Sequence, residues 1–481
     1  MKFIVKFFPE ITIKSKPVRK QFVRHLTDNV RSLLRQIDAE VKVQRDWDKL
    51  VVESQQEEKL QRFVETLSHT PGIAYFNEVS HYPLGDLHDI FEKTKLLWGE
   101  RLAGKTFAVR CKRAGTHAFS SGEIERYVGG GLNQHTEAKG VQLKNPDITV
   151  MLEVRDENLY ITNCRYEGLG GFPMGSLDPV ISLISGGFDS NVASYLMMKR
   201  GLRTHFLFFN LGGHAHEIGV KEVALYLWQK YGASHRVRFI SVPFDGVVGE
   251  ILKKVDNSQM GVILKRMMLR AATTIADDMG VQAVVTGECI AQVSSQTLTN
   301  LSVIDSVTNK LVLRPLITMD KPDIVKLSAE IGTEEFAASM PEYCGVISVK
   351  PTTKAKPEKI ESQESRFDFA VLEQAIADTR LINIDEIDLD EQIAEVEVMP
   401  FPVGESIVID VRHPTERELQ PLKLGQNEVL EIPFYELHSQ YEQLDQAQHY
   451  MLYCERGTMS RLHASHLKHE GYHNVSVYRP Q

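Results

Sequence analysis

No run of about 18 apolar residues occurs in the 481-residue chain, so a membrane-spanning helix is not expected. The opening Met1-Lys2-Phe3-Ile4-Val5-Lys6-Phe7-Phe8 has too short an apolar core for a secretory signal. Cysteine is scarce: five in the whole chain exclude a disulfide scaffold and fit a reducing, cytoplasmic setting. No Cys-x-x-Cys pair occurs, so no zinc or other resident metal site is expected. Internal repeats and low-complexity tracts are missing as well. What remains is a globular composition, 42% hydrophobic and 25% charged, in a chain long enough for about three domains or more.

The net charge of -9 is unevenly spread. Residues 1–35 hold nine basic against two acidic residues, and residues 101–144 hold eight against three. Residues 355–400 reverse the sign, with thirteen acidic and four basic. A basic front end followed by an acidic connector suggests a polyanion partner on the N-terminal side. Ordinary solvated faces would give the same counts.

The stretch Ser185-Gly186-Gly187-Phe188-Asp189-Ser190 lies between the apolar run 180–184 and a helix-like segment, 191–199. This reads as a strand ending in a tight turn that opens a helix. Adjacent glycines allow close backbone approach, and the first helical amides suit a phosphate or pyrophosphate. Asp189, Ser185 and Ser190 could add polar contacts or hold Mg2+ on the phosphates. The motif lacks a Gly-Lys-Ser/Thr ending, which excludes the ordinary P-loop class.

Residues 1–60 read as strand, basic helix (17–34) and two short strands. A second α+β region follows to residue 165, with a basic strand at 107–113 and a capping-box signal, Ser120 with Glu123. The helix after it contains Gly129-Gly130-Gly131, which suggests close approach of another segment. Glycine-rich residues 165–176 mark a boundary. Beyond it, strand-like runs at 180–184, 204–209, 236–242 and 282–286 alternate with helix-like runs. That alternation predicts a parallel sheet with ligands outside the carboxyl ends of its strands. Thr286-Gly287-Glu288 falls at one such end. Arg266 and Arg270, with Lys265 beside them, share a helix and could neutralise phosphate or be solvated. Residues 292–300 form a polar loop suited to ligand contact. The acidic connector, 350–402, is expected to be partly helical and to act as a tether for the C-terminal domain.

In that last domain, of about 80 residues, Cys454 ends an apolar strand and begins a loop entering a helix. Loop amides and a helix N-terminus favour a thiolate or persulfide there. Cys111, Cys164 and Cys289 read as structural. His463, His466, His469 and His473 wind around a helix and read as solvated, and His214 and His216 as loop residues.

Several stretches together resemble the ThiI family of bacterial tRNA sulfurtransferases (4-thiouridine synthetases), in the long form with a rhodanese-like domain. Residues 185–190 match its pyrophosphate-loop motif, residues 61–165 its THUMP RNA-binding domain, and Pro341-Glu342-Tyr343-Cys344-Gly345 its resolving-cysteine segment. Cys454-Glu455-Arg456-Gly457 resembles the rhodanese loop, with Asp410-Val411-Arg412 on the upstream strand. The resemblance implies a multidomain α/β chain. Its parts would be a ferredoxin-like α+β domain (1–60), a THUMP α+β domain (61–165), a doubly wound parallel PP-loop domain (175–349), the acidic linker (350–402) and a rhodanese-like domain (403–481).

It also implies ATP, with Mg2+, activating the 4-carbonyl oxygen of a uridine at tRNA position 8 as an adenylate. Cys454 would carry a persulfide loaded by a cysteine desulfurase, and its terminal sulfur would displace AMP. Cys344 would then form a disulfide with Cys454 that a reductant reopens. By the family's motif positions, Leu183, Ile184, Lys265, Gly287 and Gln296 would contact ATP, beside the loop residues Ser185, Gly186, Gly187, Asp189 and Ser190. The same persulfide would supply thiamine thiazole synthesis through a sulfur-carrier protein. An amidating ligase on the same fold, or an RNA-binding protein with a degenerate nucleotide domain, are the competing readings.

Overall fold

The computed structural model describes residues 1–46, 49–211, 213–339, 350–389, 396–404, 406–412, 417–418, 420–425, 427–433, 437–454 and 458–480. They fall into two units, Met1–Pro173 and Met174–Gln481.

The first unit runs β1 (Lys2–Phe7), α1 (Pro9–Thr12), α2 (Lys16–Arg35), β2 (Lys42–Arg45), β3 (Lys49–Glu53), α3 (Leu60–Ser68) and β4 (Ile73–Pro83). It continues through α4 (Leu87–Trp98), β5 (Thr106–Ala114), α5 (Ser121–His135), β6 (Gly140–Val141), β7 (Ile148–Arg155) and β8 (Asn158–Glu167). All eight strands join one sheet in the order β2-β3-β1-β4-β8-β7-β5-β6. Helix α2 buries Phe22, Val23, Leu26, Val30 and Leu34 at helical spacing, which leaves Lys16, Lys20 and Arg24 exposed. The packing does not pause at residue 60: Phe3 of β1 stacks on Phe63 of α3 at 6.3 Å and meets Phe76 of β4 edge-on at 5.8 Å. The capping box forms, with Ser120 and Glu123 each satisfying the other's backbone amide. The close approach signalled by the glycine run is by α4, since a Cβ on Gly131 would lie 2.5 Å from the Phe91 ring.

In the second unit the main sheet is built from β9 (Leu177–Leu183), β10 (Leu202–Asn210), β11 (Arg238–Pro243), β12 (Ala283–Val285), β13 (Leu311–Leu313) and β14 (Arg380–Asn383). Its helices are α6 (Phe188–Lys199), α7 (Gly213–Leu227), α8 (Asp245–Lys254), α9 (Met260–Asp278), α10 (Leu298–Asp305), α11 (Lys321–Ile331), α12 (Glu334–Ser339), α13 (Pro357–Glu364) and α14 (Phe369–Ala377). The order β13-β12-β9-β10-β11-β14 is parallel throughout except for β14. The chain leaves β9 in one direction to β10 and β11, then returns on its other side with β12. The crevice above β9 is therefore the switch point at which ligands bind in this architecture.

The tether reading of the connector does not hold for residues 355–389. Ala355, Ile360, Phe367, Leu372 and Ala375 are buried in the same core as Ile181, Leu207 and Ile240. Strand β14 pairs antiparallel with β11. The acidic residues have fixed partners: Glu364 grips Arg266 through two bonds of 2.6 and 2.9 Å, and Asp385 accepts from Arg236 at 2.8 Å. Excess negative charge there complements cations on the sheet body instead of repelling itself into a coil.

A third sheet holds β15 (Val398–Met399), β16 (Ile407–Asp410), β17 (Val429–Leu430), β18 (Tyr450–Tyr453) and β19 (Val475–Tyr478), all parallel, in the order β15-β19-β18-β16-β17. Helices α15 (Leu437–Tyr441) and α16 (Thr458–His469) accompany it. Among the described residues no helix is long and apolar enough to cross a membrane.

Candidate active site at the switch point

Strand β9 ends at Leu183, and the Ile184 amide still donates to Leu207 O at 2.9 Å, so the turn starts from a fixed sheet edge. Gly186 has a φ of 83°, in the left-handed region, and Gly187 is the N-cap of α6. The loop is tied to itself. Ser185 N donates to Ser190 Oγ at 3.2 Å, Ser190 Oγ donates to Gly187 O at 3.1 Å, and Asn191 Nδ2 donates to Gly186 O at 2.8 Å. These bonds hold the loop in one shape while the first amides of α6 remain at its open end.

Of the sequence-predicted residues outside this loop, Gly287 meets it directly. A Cβ on Gly287 would stand 2.6 Å from the Asp189 carbonyl carbon and 2.8 Å from Ser190 N, so the end of β12 presses on the start of α6. The Asp189 carboxylate accepts from Gln292 Nε2 at 2.8 Å and Lys321 Nζ at 2.7 Å. Lys265 donates to Glu288 at 2.6 Å, one residue beyond Gly287. Gln296 is buried, and its Oε1 has no hydrogen-bond partner among the described residues. The segment containing Cys344 lies outside the described residues.

Glu288 is the best-supported acid here. It accepts from Lys265, from Arg314 Nε at 2.8 Å and from Thr286 Oγ1 at 3.0 Å. Burial opposes its charge, but Lys265 and Arg314 outweigh that and hold the carboxyl below the usual glutamate range. Burial, then the nearby Asp189, push the Cys289 thiol up, in keeping with a structural role.

Sequence reasoning missed Glu288, Arg314, Lys321 and Gln292 as partners, and it misplaced two histidines. His216 lies in helix α7, not a loop, and is buried, with Nε2 3.3 Å from Ser185 O. Burial holds its ring below the ordinary histidine range. His463 is not solvated: it is buried with Nδ1 3.4 Å from Glu222 Oε1, whereas His473 is exposed. The side chains of His214, His466 and His469 lie outside the described residues. Arg266, 5% exposed, is a structural partner of Glu364 rather than a phosphate ligand. Of the three cysteines read as structural, Cys111 and Cys289 are buried and Cys164 is exposed.

Cys454 stands just past β18 and is buried. The Ser460 amide donates to its Sγ at 3.3 Å, and Ser460 Oγ lies 3.4 Å from it. Donors from the first turn of α16 favour negative charge on that sulfur. On the adjacent strand, Asp410 and Arg412 form a buried bidentate pair at 2.6 and 2.9 Å. Glu455, Arg456 and Gly457 lie outside the described residues. Among those described, no group of three His, Cys, Asp or Glu could hold a metal.

A glycine-rich loop at the switch point of an α/β body, with a loop cysteine at a helix start on a second parallel sheet, is the arrangement of an ATP-using sulfurtransferase. Known families match part by part. Residues 2–77 match the ThiI ferredoxin-like domain, 85–163 the THUMP domain, 175–369 the thiamine biosynthesis protein (ThiI) model and 389–479 the rhodanese-like domain. The tRNA sulfurtransferases of Saccharophagus degradans and Shewanella halifaxensis are 55% and 57% identical over the full length of both chains. A crystal structure of a 4-thiouridine synthetase–RNA complex with bound ATP superposes with a TM-score of 0.72 at 27% identity. It covers 80% of this chain and 99% of that one. The chain belongs to the tRNA sulfurtransferase family, in the form that carries a rhodanese-like domain.

Proposed function

We propose that this chain converts a tRNA uridine to 4-thiouridine, using ATP for activation and a persulfide on Cys454 as sulfur donor. The observation that carries it is the pairing, in one chain, of the tied loop 185–190 with Cys454 under the Ser460 amide. A carbonyl oxygen leaves poorly, so it is activated before sulfur displaces it. In this reading Ser185, Gly186, Gly187, Ser190 and the first amides of α6 cradle the phosphates. Leu183, Ile184, Lys265, Gly287 and Gln296 complete the nucleotide contacts. Asp189 is read as the acid that would hold Mg2+, which would neutralise phosphate charge when bound; each of its two oxygens accepts one side-chain donor, from Lys321 and from Gln292. The terminal sulfur of the Cys454 persulfide attacks C4 and AMP leaves, which links Cys454 Sγ to C4 through that sulfur. The Cys344 thiolate then attacks Cys454 Sγ, the S–S bond breaks with its electron pair leaving on the sulfur bound to C4 as 4-thiouridine, and a reductant reopens the resulting Cys344–Cys454 disulfide.

The relative solved with RNA and ATP supports both substrates. Exposed Lys14, Lys16, Lys20, Lys112, Arg113, Lys139 and Lys144 on the first unit give it cations for RNA phosphates. A cysteine desulfurase as persulfide source, uridine 8 as target, and a thiazole-pathway sulfur carrier as second acceptor complete the reading, in the cytoplasm. Mass spectrometry of tRNA nucleosides after incubation with ATP and a desulfurase tests it. Wild type should form 4-thiouridine and Cys454→Ser none. Full product with Cys454→Ser would instead favour an adenylating enzyme of another kind.

A further inference from the structure

We propose that Glu288 is a positioning residue for the nucleotide reaction, fixing the Lys265 ammonium where it meets the nucleotide. The proposal rests on the reading of Lys265 as a nucleotide contact. Lysine is a point charge on a flexible four-carbon stem, so its geometry must come from a partner. Glu288 supplies it through a division between its two oxygens. Oε2 takes Arg314 Nε at 2.8 Å and Thr286 Oγ1 at 3.0 Å, which leaves Oε1 for Lys265 at 2.6 Å.

Arg314 is itself immobilised, with both terminal nitrogens on Asp305 at 2.6 and 2.8 Å and only 11% of its side chain exposed. The carboxylate is therefore anchored from behind, by helix α10 and strand β13, before the lysine reaches it. Its backbone follows Gly287, where an added Cβ would lie 2.6 Å from the Asp189 carbonyl carbon and 2.8 Å from Ser190 N. Lys265 is thereby indexed to the start of α6, where the phosphates are cradled. Two acids, Glu288 and Asp305, face two bases, Lys265 and Arg314. The cluster is neutral overall, so what it contributes is geometry rather than long-range attraction. The carboxyl's depressed pKa keeps the clamp charged throughout the neutral range.

The test is tRNA-stimulated pyrophosphate release by the full chain with ATP titrated, for Glu288→Gln, Lys265→Ala and the double variant, each with a measured melting temperature. Glu288→Gln turns an amide donor toward cationic donors. It should raise KM for ATP about tenfold, the scale of one lost charge-assisted hydrogen bond. In the Lys265→Ala background the same change should add nothing. Unchanged ATP parameters in Lys265→Ala would remove the nucleotide reading of Lys265, and this proposal with it. If Lys265→Ala is impaired, three results overturn the proposal alone: an unaffected Glu288→Gln, a lowered KM as expected of a lost competing anion, or equal losses in both backgrounds. Should Glu288→Gln not fold, Glu288→Asp keeps the charge but falls one methylene short of Lys265, and the same predictions apply to it.

Discussion

Asp189 accepts from two side chains that lie 103 and 132 residues away in the chain, Gln292 and Lys321. Its place in the first turn of α6 was legible because a Gly-Gly turn between strand and helix is a local pattern. Its partners were not, because nothing local ties residue 189 to residue 321. Asp189→Ala should abolish tRNA-stimulated pyrophosphate release while leaving tRNA binding by the first unit intact. Filter binding alongside a pyrophosphate assay separates the two, and loss of both would show a folding defect. Thiol chemistry gives a second check at this scale. Burial, reinforced by Glu125, pushes the Cys111 thiol up to about 11, whereas Cys164 is exposed. At about pH 8 iodoacetamide should label Cys164 and spare Cys111, because thiolate is the reacting form. Peptide mass spectrometry reads the outcome, and equal labelling would contradict the burial of Cys111.

Among the elements, two glycines with opposite surroundings show what sequence could and could not reveal. The run Gly129-Gly130-Gly131 announced a close approach but not its partner or which glycine mattered. Gly131 meets Phe91, whereas a Cβ on Gly130 would meet nothing within 4 Å. Gly130→Ala should therefore stabilise helix α5 by about 0.5–1 kcal/mol through helix propensity alone. Gly287→Ala has no such freedom. The new methyl would stand 2.6 Å from backbone at Asp189, where no flexible side chain can yield. The end of β12 and the start of α6 must then part, and ATP-dependent turnover should fall at least tenfold, about 1.4 kcal/mol. Thermal melts should rise for Gly130→Ala, and ATP titrations should be impaired for Gly287→Ala alone. Strands β9 to β12 and the helices between them were legible from periodicity, whereas α10 begins at Leu298, inside the stretch 292–300 that reads as a loop. Strand β14 was not, because four residues, Arg380–Asn383, inside an acidic stretch carry too little pattern.

At the scale of the whole molecule, the acidic connector is where composition misled. Counting charges describes residues 355–400 as a solvated tether, but their apolar positions and their arginine partners place 355–389 in the ATP-binding body. A chain ending at residue 350 would leave Arg266 buried without Glu364, a loss of about 3–5 kcal/mol for a broken buried pair. It would also remove Ile360, Phe367, Leu372 and Ala375 from the core they share with Leu207 and Ile240. Such a chain should be insoluble or show no cooperative melt, whereas one ending at residue 389 should melt cooperatively.

Past that point, helix α16 packs against α7 and brings His463 to Glu222. Burial raises the Glu222 carboxyl to about 8 from an ordinary 4.5. Between those values the folded chain holds a proton that the unfolded chain has released, so stability falls as pH rises through this window and levels off above about pH 8. Helix α7 also carries His216 to the Ser185 carbonyl, and α16 carries Ser460 to Cys454. The same contact thus joins the helices that support the two reactive loops. Melting temperatures of the full chain should decline from about pH 6 to about pH 8, and Glu222→Gln, which has no proton to lose, should flatten that decline. A wild-type profile that rises across this range, or a Glu222→Gln profile as steep as wild type, would remove Glu222 as the group responsible.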